Sequence, residues 1–211
     1  MTFRPLILAA VLASGALSGC DDEPVKTADV NLQIKARVYD WPDGGGYFLH
    51  GTGVTSPLMV NGHVVLPPTS QGSHCSGITL AVCCAVAGDL GLMDGWDKQK
   101  LRAFQKQWFG VDPASKRKQM AYAMEQAGIG REVKLEDVQP GDFIQFNIGK
   151  TMGHMAVVTG VIRLEGKLVG LNYRSSQPGT NGVGDRVLYF EDTIFAGHVR
   201  REDCTIARLG R

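Results

Sequence analysis

The residues of this 211-residue chain best suited to chemistry are its cysteines and histidines, five of each. Three of the cysteines fall in one stretch, SHCSGITLAVCCAVAGDLG, where Cys75 stands apart from the adjacent Cys83 and Cys84. A lone thiol of this kind can be a packing residue, half of a disulfide, a metal ligand or a nucleophile. A nucleophile needs an acid-shifted thiol, a nearby base and a path to solvent, and a helix N-terminus supplies the first through its unpaired amides and dipole. Ser73 and Ser76 suit the start of a helix, which puts Cys75 at its mouth. Cys83 and Cys84 lie two turns inward on an apolar run and read as inert packing or as a bridge. No Cys-x-x-Cys or His-x-x-x-His spacing occurs, so neither a metal nor an organic cofactor is expected. His154 is the base the sequence offers, because it opens a β-branched run just after the turn GKTMG. His50 and His63 read as surface residues.

These groups must be carried by ordinary elements. The apolar fraction of 44% supports a real core, and a formal net charge of +1 gives no field directed at nucleic acid. The helix opening near Ser76 is apolar nearly all round and should be central and buried. A second helix is expected over 97–109, with Leu101, Phe104 and Trp108 on one face. A third opens after Asp112-Pro113-Ala114-Ser115 and stops at Gly128. Residues 47–68 read as short strands or irregular structure. Strands are expected at 143–146, 154–162, 167–173, 186–190 and 194–200, with Glu165-Gly166 as a hairpin turn. Helices followed by short strands argue for an α+β fold with an antiparallel sheet.

Register then proposes a third polar residue. If Leu164 faces Lys167, counting outward sets His154 opposite Gln177, with Ser175 on the same face. An oxygen of Gln177 or Ser175 can accept from one imidazole nitrogen, fixing the tautomer and freeing the other for the thiol. Asn172 falls on the other face unless a bulge intervenes. The run Ser175 to Gly179 can equally be a plain polar turn.

The N-terminus, MTFRPLILAAVLASGALSGC, has the layout of a secretory signal and is too short for a confident membrane span. Leu17-Ser18-Gly19-Cys20 resembles the lipobox of bacterial lipoproteins, which implies cleavage before Cys20 and lipidation of its thiol. Asp21 resembles an inner-membrane retention signal. The expected organisation is a signal peptide over 1–19, a lipidated cysteine and flexible tether over 20–46, and a hydrolase domain over 47–211. Export to an oxidising compartment permits disulfides, so Cys83 or Cys84 can pair with Cys204.

Cys75-Ser76-Gly77-Ile78 resembles the Cys-Ser-Gly-Leu segment of the NlpC-type, papain-like cysteine peptidases of bacterial cell walls. Leu135 to Phe146 is similar to their Leu-x-Pro-Gly-Asp-Leu-Val-Phe-Phe stretch, and Gly153 to Val158 to their Gly-His-Val-Gly-Ile-Tyr stretch. The related CHAP amidases share this order less closely. The resemblance implies a papain-like fold whose cysteine-bearing helix packs on an antiparallel sheet. It also implies Cys75 as nucleophile, His154 as general base and acid, and Gln177 or Ser175 as the residue orienting the imidazole. The implied substrate is a peptidoglycan stem peptide, cut at an amide by a periplasmic enzyme anchored to the membrane through Cys20. His74 stands where these families usually have Asp, and the stretch 179–211 has no counterpart in them. A thiol enzyme acting on another amide or acyl group, and a non-catalytic binding module on the same fold, are the competing expectations.

Overall fold

The computed structural model describes residues 27–111, 115–148, 152–195 and 197–210. Its frame is a seven-stranded sheet in the order β1-β8-β7-β6-β5-β9-β4. The strands are β1 (Gly44–Gly45), β4 (Gly130–Val133), β5 (Phe143–Ile148), β6 (Met152–Leu164), β7 (Lys167–Gln177), β8 (Gly182–Tyr189) and β9 (Cys204–Leu209), and every neighbouring pair is antiparallel. A separate hairpin joins β2 (Leu58–Val60) to β3 (His63–Leu66). The α+β class and the antiparallel sheet expected from the sequence are therefore present.

Helix α2 (Cys75–Asp89) is the central helix. Ile78, Leu80, Val82, Cys83 and Ala87 have under 1% exposure, so the helix has no solvent side for polar residues to occupy. It lies between the sheet, which it meets at β6 and β7, and helices α1 (Thr27–Val38) and α3 (Lys98–Trp108). Helix α3 starts on an Asp97 cap that accepts from the Lys100 N–H, and it buries Leu101, Phe104 and Trp108. Helix α4 runs over Gln119–Ala127 and ends on Gly128 in the left-handed region. It begins later than the Asp-Pro signal suggests, and 112–114 lie outside the described residues.

Two expectations about the chain ends change. The polar stretch assigned to the tether contains α1, which buries Val30, Ile34 and Val38 at a spacing of four against α2. Three aliphatic residues on one stripe, each worth about 1.5–3 kcal/mol when fully buried, suffice to hold this otherwise polar helix. The packed unit thus begins before residue 47. At the other end, none of the described residues of 194–200 belongs to a strand; Val199 makes an isolated bridge to Phe190. The last strand is β9, seated between β5 and β4.

The sheet has two dissimilar faces. Phe143, Met155 and Val157 join Cys75 and α2 in one apolar cluster. Ile144, Phe146, Ala156, Val158 and Tyr173 join a second cluster on the opposite face. That is the period-2 alternation of β5 and β6 read directly as sidedness. The Pro140-Gly141-Asp142 turn ties these layers together. Asp142 is fully buried and receives Arg208 Nε at 2.7 Å, Arg208 Nη2 at 2.8 Å, Asn31 Nδ2 at 3.0 Å and the Gln139 N–H at 2.8 Å. One carboxylate thereby fastens α1 and β9 to the start of β5.

Candidate active site

Cys75 is the first residue of α2, as the serines around it suggest, but the cap is His74. The Gly77 N–H donates to His74 Nδ1 at 3.4 Å, and His74 Nε2 lies 3.1 Å from the Gly51 carbonyl. This pair of contacts assigns the proton to Nε2, since Nδ1 must accept. His74 therefore does the capping that an Asp would do, without adding a charge. Burial lowers its pKa, with the Gly51 carbonyl opposing. The glycine of Cys-Ser-Gly also has a local cause. A Cβ on Gly77 would sit 2.4 Å from the Gly53 backbone, and Gly53 itself has φ +86 with His74 Cε1 2.6 Å from where its Cβ would be. The 51–53 loop is pressed directly onto the first turn of α2.

The Cys75 side chain is nearly buried, with Ser76 Oγ 3.8 Å from the sulfur. Tyr47 is a neighbour that sequence reasoning missed: its phenol is raised by burial and then by the negative charge of a Cys75 thiolate. The signal for it was weak, since Tyr47 reaches the site through an isolated bridge to Ser73. Ser73 in turn bonds Ser176 Oγ at 2.8 Å, pinning the approach to α2 onto β7. Ser76, the residue after Cys75, lines a cavity of about 1090 Å³ together with Gln145, Gly153, Met155 and His198, whereas Cys75 itself does not border it.

His154 is the third residue of β6 and pairs with Phe146. Two irregularities interrupt the β6–β7 ladder, between Val158 and Gly160 and between Ile162 and Arg163; one shifts the pairing by a residue and the other restores it. The register at Val157↔Arg174 is thus the one counted from the hairpin turn, and His154 and Gln177 are neighbours. The imidazole is packed between Phe146 and Tyr173, with ring centroids 5.2 and 5.8 Å away. Burial pushes its pKa down to about 4, against an opposing pull from the Gln177 side chain. Tyr173 Oη donates to Gln177 Oε1 at 3.3 Å, while His154 Nε2 and Gln177 Nε2 are buried with no hydrogen-bond partner. The Ser175 hydroxyl donates to the Met155 carbonyl at 2.6 Å, which engages its proton and leaves its oxygen able only to accept. Asn172 is exposed on the other face, as the register implied.

The thiol and the imidazole are not brought together. Phe146 and Tyr173, which hold His154, belong to the second cluster, and Cys75 belongs to the first. The cavity is reached by Gly153 and Met155 on either side of His154, but not by its ring. The sheet stands between the two groups expected to form a dyad, because alternation along β6 sends residue 154 away from α2.

The other described cysteines, Cys83, Cys84 and Cys204, are free. Burial raises the Cys83 thiol well above its ordinary value, and Cys84 and Cys204 to about 12. A bridge from Cys83 or Cys84 to Cys204 is not formed. The first two lie in the α2 layer, whereas Cys204 pairs with Phe146 and packs on the opposite face. Among the described residues no group of His, Cys, Asp and Glu side chains could hold a metal ion, and no helix is long and apolar enough to cross a membrane. The signal segment and Cys20 lie outside the described residues.

No protein family and no curated protein sequence matches this chain. Among solved structures, the fold is similar to that of an N-acetylmuramoyl-L-alanine amidase from Bacteroides uniformis, with a TM-score of 0.48 and 8% sequence identity, over 87% of this chain and 100% of that one. At that identity no residue role passes from one chain to the other.

Proposed function

We propose that this chain is a thiol-dependent amide hydrolase, with Cys75 as nucleophile and the adjacent cavity as the substrate cleft. One observation carries the reading: a single cysteine occupies the first turn of a buried helix, next to Ser76, which lines a cavity. The helix N-terminus favours the thiolate and offers amide donors to an oxyanion. Attack on the amide carbon forms a thioester, the amine leaves with a proton, and water then releases the acid and restores the thiol.

His154 is the base in this proposal. On the face it now occupies, burial lowers its pKa to about 4 and leaves Nε2 without a partner; relief of that burial, which returns the pKa toward neutrality, is part of the proposal. To meet Cys75, the first residues of β6 must turn over. A β-bulge between His154 and Ala156 carries residue 154 to the α2 face and leaves the strand from Ala156 onward in register. Peptidoglycan stem peptides are the proposed substrate class. The proposed location is the periplasmic side of a bacterial membrane, through a lipid on Cys20, with Asp21 directing retention at the inner membrane. The NlpC-type family remains the proposed affiliation.

The test is incubation of the purified chain, and of its Cys75→Ala and His154→Ala variants, with peptidoglycan, followed by mass spectrometry of the released fragments. Amide cleavage by the parent that both variants lose supports the proposal. Cleavage retained by Cys75→Ala refutes the nucleophile, and cleavage retained by His154→Ala refutes the base. A second reading, a non-catalytic module that binds a ligand in the cavity, is favoured by the opposite facing of Cys75 and His154. Ligand binding without cleavage by the parent chain selects it.

A further inference from the structure

The cavity beside Cys75 has a built wall whose charges the hydrolase proposal leaves unused. Residues 116–118 lead into α4, which begins at Gln119, and this junction is firmly anchored. Gln145 accepts the Gln119 N–H at 2.8 Å and donates to the Lys116 carbonyl at 2.9 Å. From β9, the Thr205 hydroxyl donates to the Arg117 carbonyl at 3.1 Å. Two strands thus hold this short segment by its backbone, and the Lys116 and Arg117 side chains border the cavity.

Arg200 lines the cavity as well. It is matched by Asp203, with Nη2 at 2.6 Å from the carboxylate, and by Glu202 at 3.3 Å, and it feels the field of Glu191. Asp203 is therefore already committed. Arg117 reaches the same carboxylate only at 3.9 Å, too far for a hydrogen bond. Asp203 is shared between Arg200 and Arg117, and among the described residues Lys116 has no ion pair, so the three basic side chains of the lining outnumber its two carboxylates, Glu191 and Asp203, on a backbone that is fixed in place. Gln119 and Asn147 add amide groups to the same wall, and Met155 is its apolar contribution.

We propose that the cavity is a recognition site for a peptide carboxylate, seated on Arg117 and Lys116 with the peptide's amides against Gln119 and Asn147. Guanidinium and ammonium donors close on a carboxylate with charge-assisted bonds, and pre-anchoring of the segment removes part of the ordering cost of binding. The proposal rests on the hydrolase reading only for the idea that the peptide's scissile amide extends toward Cys75; binding itself does not depend on cleavage.

The experiment is calorimetry on the full chain carrying Cys75→Ala, so that turnover cannot interfere. The ligands are N-acetyl-Ala-Glu with free carboxylates, its diamide, and inorganic phosphate. The expected result is at least a tenfold preference for the free acid over the diamide, weakened as salt rises. Arg117→Gln and Lys116→Gln, both at exposed side chains, should each cost about tenfold in affinity for the acid and nothing for the diamide, with unchanged melting. Equal affinity for acid and diamide overturns the proposal, as does unchanged binding in both variants or no binding of the acid at 10 mM (about a hundredfold above the expected constant). Displacement by phosphate as readily as by the acid also overturns it, since the site would then hold small anions. Carboxylate binding in a chain whose parent cleaves nothing overturns the hydrolase reading alone; cleavage without this binding preference overturns the recognition site alone.

Discussion

Replacing Asp142 by Asn tests how far one buried carboxylate holds this fold together. The change keeps the shape of the side chain and one carbonyl oxygen, and it removes the charge. Arg208 then stays buried and cationic with its two short bonds to Asp142 weakened, while Asn31 and the Gln139 N–H compete for the remaining acceptor. Removing one member of a buried pair costs about 3–5 kcal/mol, chiefly because the other is stranded. The whole stability of a domain this size is about 5–15 kcal/mol, so the loss should be large and easily measured. Equilibrium urea unfolding followed by tryptophan fluorescence measures it, with the m-value as a check on two-state behaviour. Asn31→Ala should cost only about 1 kcal/mol, since it removes one bond and leaves the ion pair. Asp142→Leu combined with Arg208→Met should recover most of the loss, because a buried pair replaced by apolar groups is often neutral. If Asp142→Asn unfolds within 0.5 kcal/mol of the parent, a difference too small for a stranded buried charge, the idea that this carboxylate joins α1, β5 and β9 fails.

Other consequences are open to direct test. His154 is neutral in the fold and protonates near 4, whereas in the unfolded chain it protonates near 6.5, so the unfolded state takes up the proton first as pH falls. Stability should therefore drop between pH 6.5 and about 4 by roughly 3 kcal/mol from this group, and His154→Phe should flatten that part of the profile in urea titrations. Iodoacetamide at pH 8 should leave Cys83, Cys84 and Cys204 unmodified in the folded chain and modify all three in urea, read by peptide mapping, because burial raises all three thiols well above their ordinary value and keeps them protonated. Gly77→Ala should destabilise by about 1–3 kcal/mol and suppress any Cys75-dependent cleavage, since its Cβ has no room beside Gly53; an unchanged melting temperature would count against the close approach.

The central helix, its cysteine at the mouth and the 165–166 hairpin could be read from the sequence because each has a local cause. An apolar run without a polar stripe must be buried, and Glu165-Gly166 adopts positive φ at both positions, as a two-residue hairpin requires. Helix α1 was hidden because only Val30, Ile34 and Val38 mark its buried side in a polar stretch. Strand β9 was hidden because nothing near Cys204 announces that its neighbours would be β5 and β4, which lie far away in sequence. The pairing of His154 with Gln177 was legible by counting, helped by two ladder irregularities that cancel. The facing of His154 was not, because sequence spacing fixes which residues share a side but not which side α2 covers. The Pro-Gly-Asp turn taught a similar lesson: a segment that carried a resemblance to peptidases turns out to hold a buried structural carboxylate.

The position of β9 has a bearing on how this molecule is assembled. Because the strand is an insertion between two others rather than an addition to a margin, everything before it can reach only an incomplete sheet, with β5 and β4 each presenting a row of unsatisfied amides and carbonyls. Acquisition of native order should be dominated by this late, long-range event and should be correspondingly slow. Loss of the final six-residue strand would expose two sticky borders at once, so clipping there should produce aggregates rather than a slightly shorter protein.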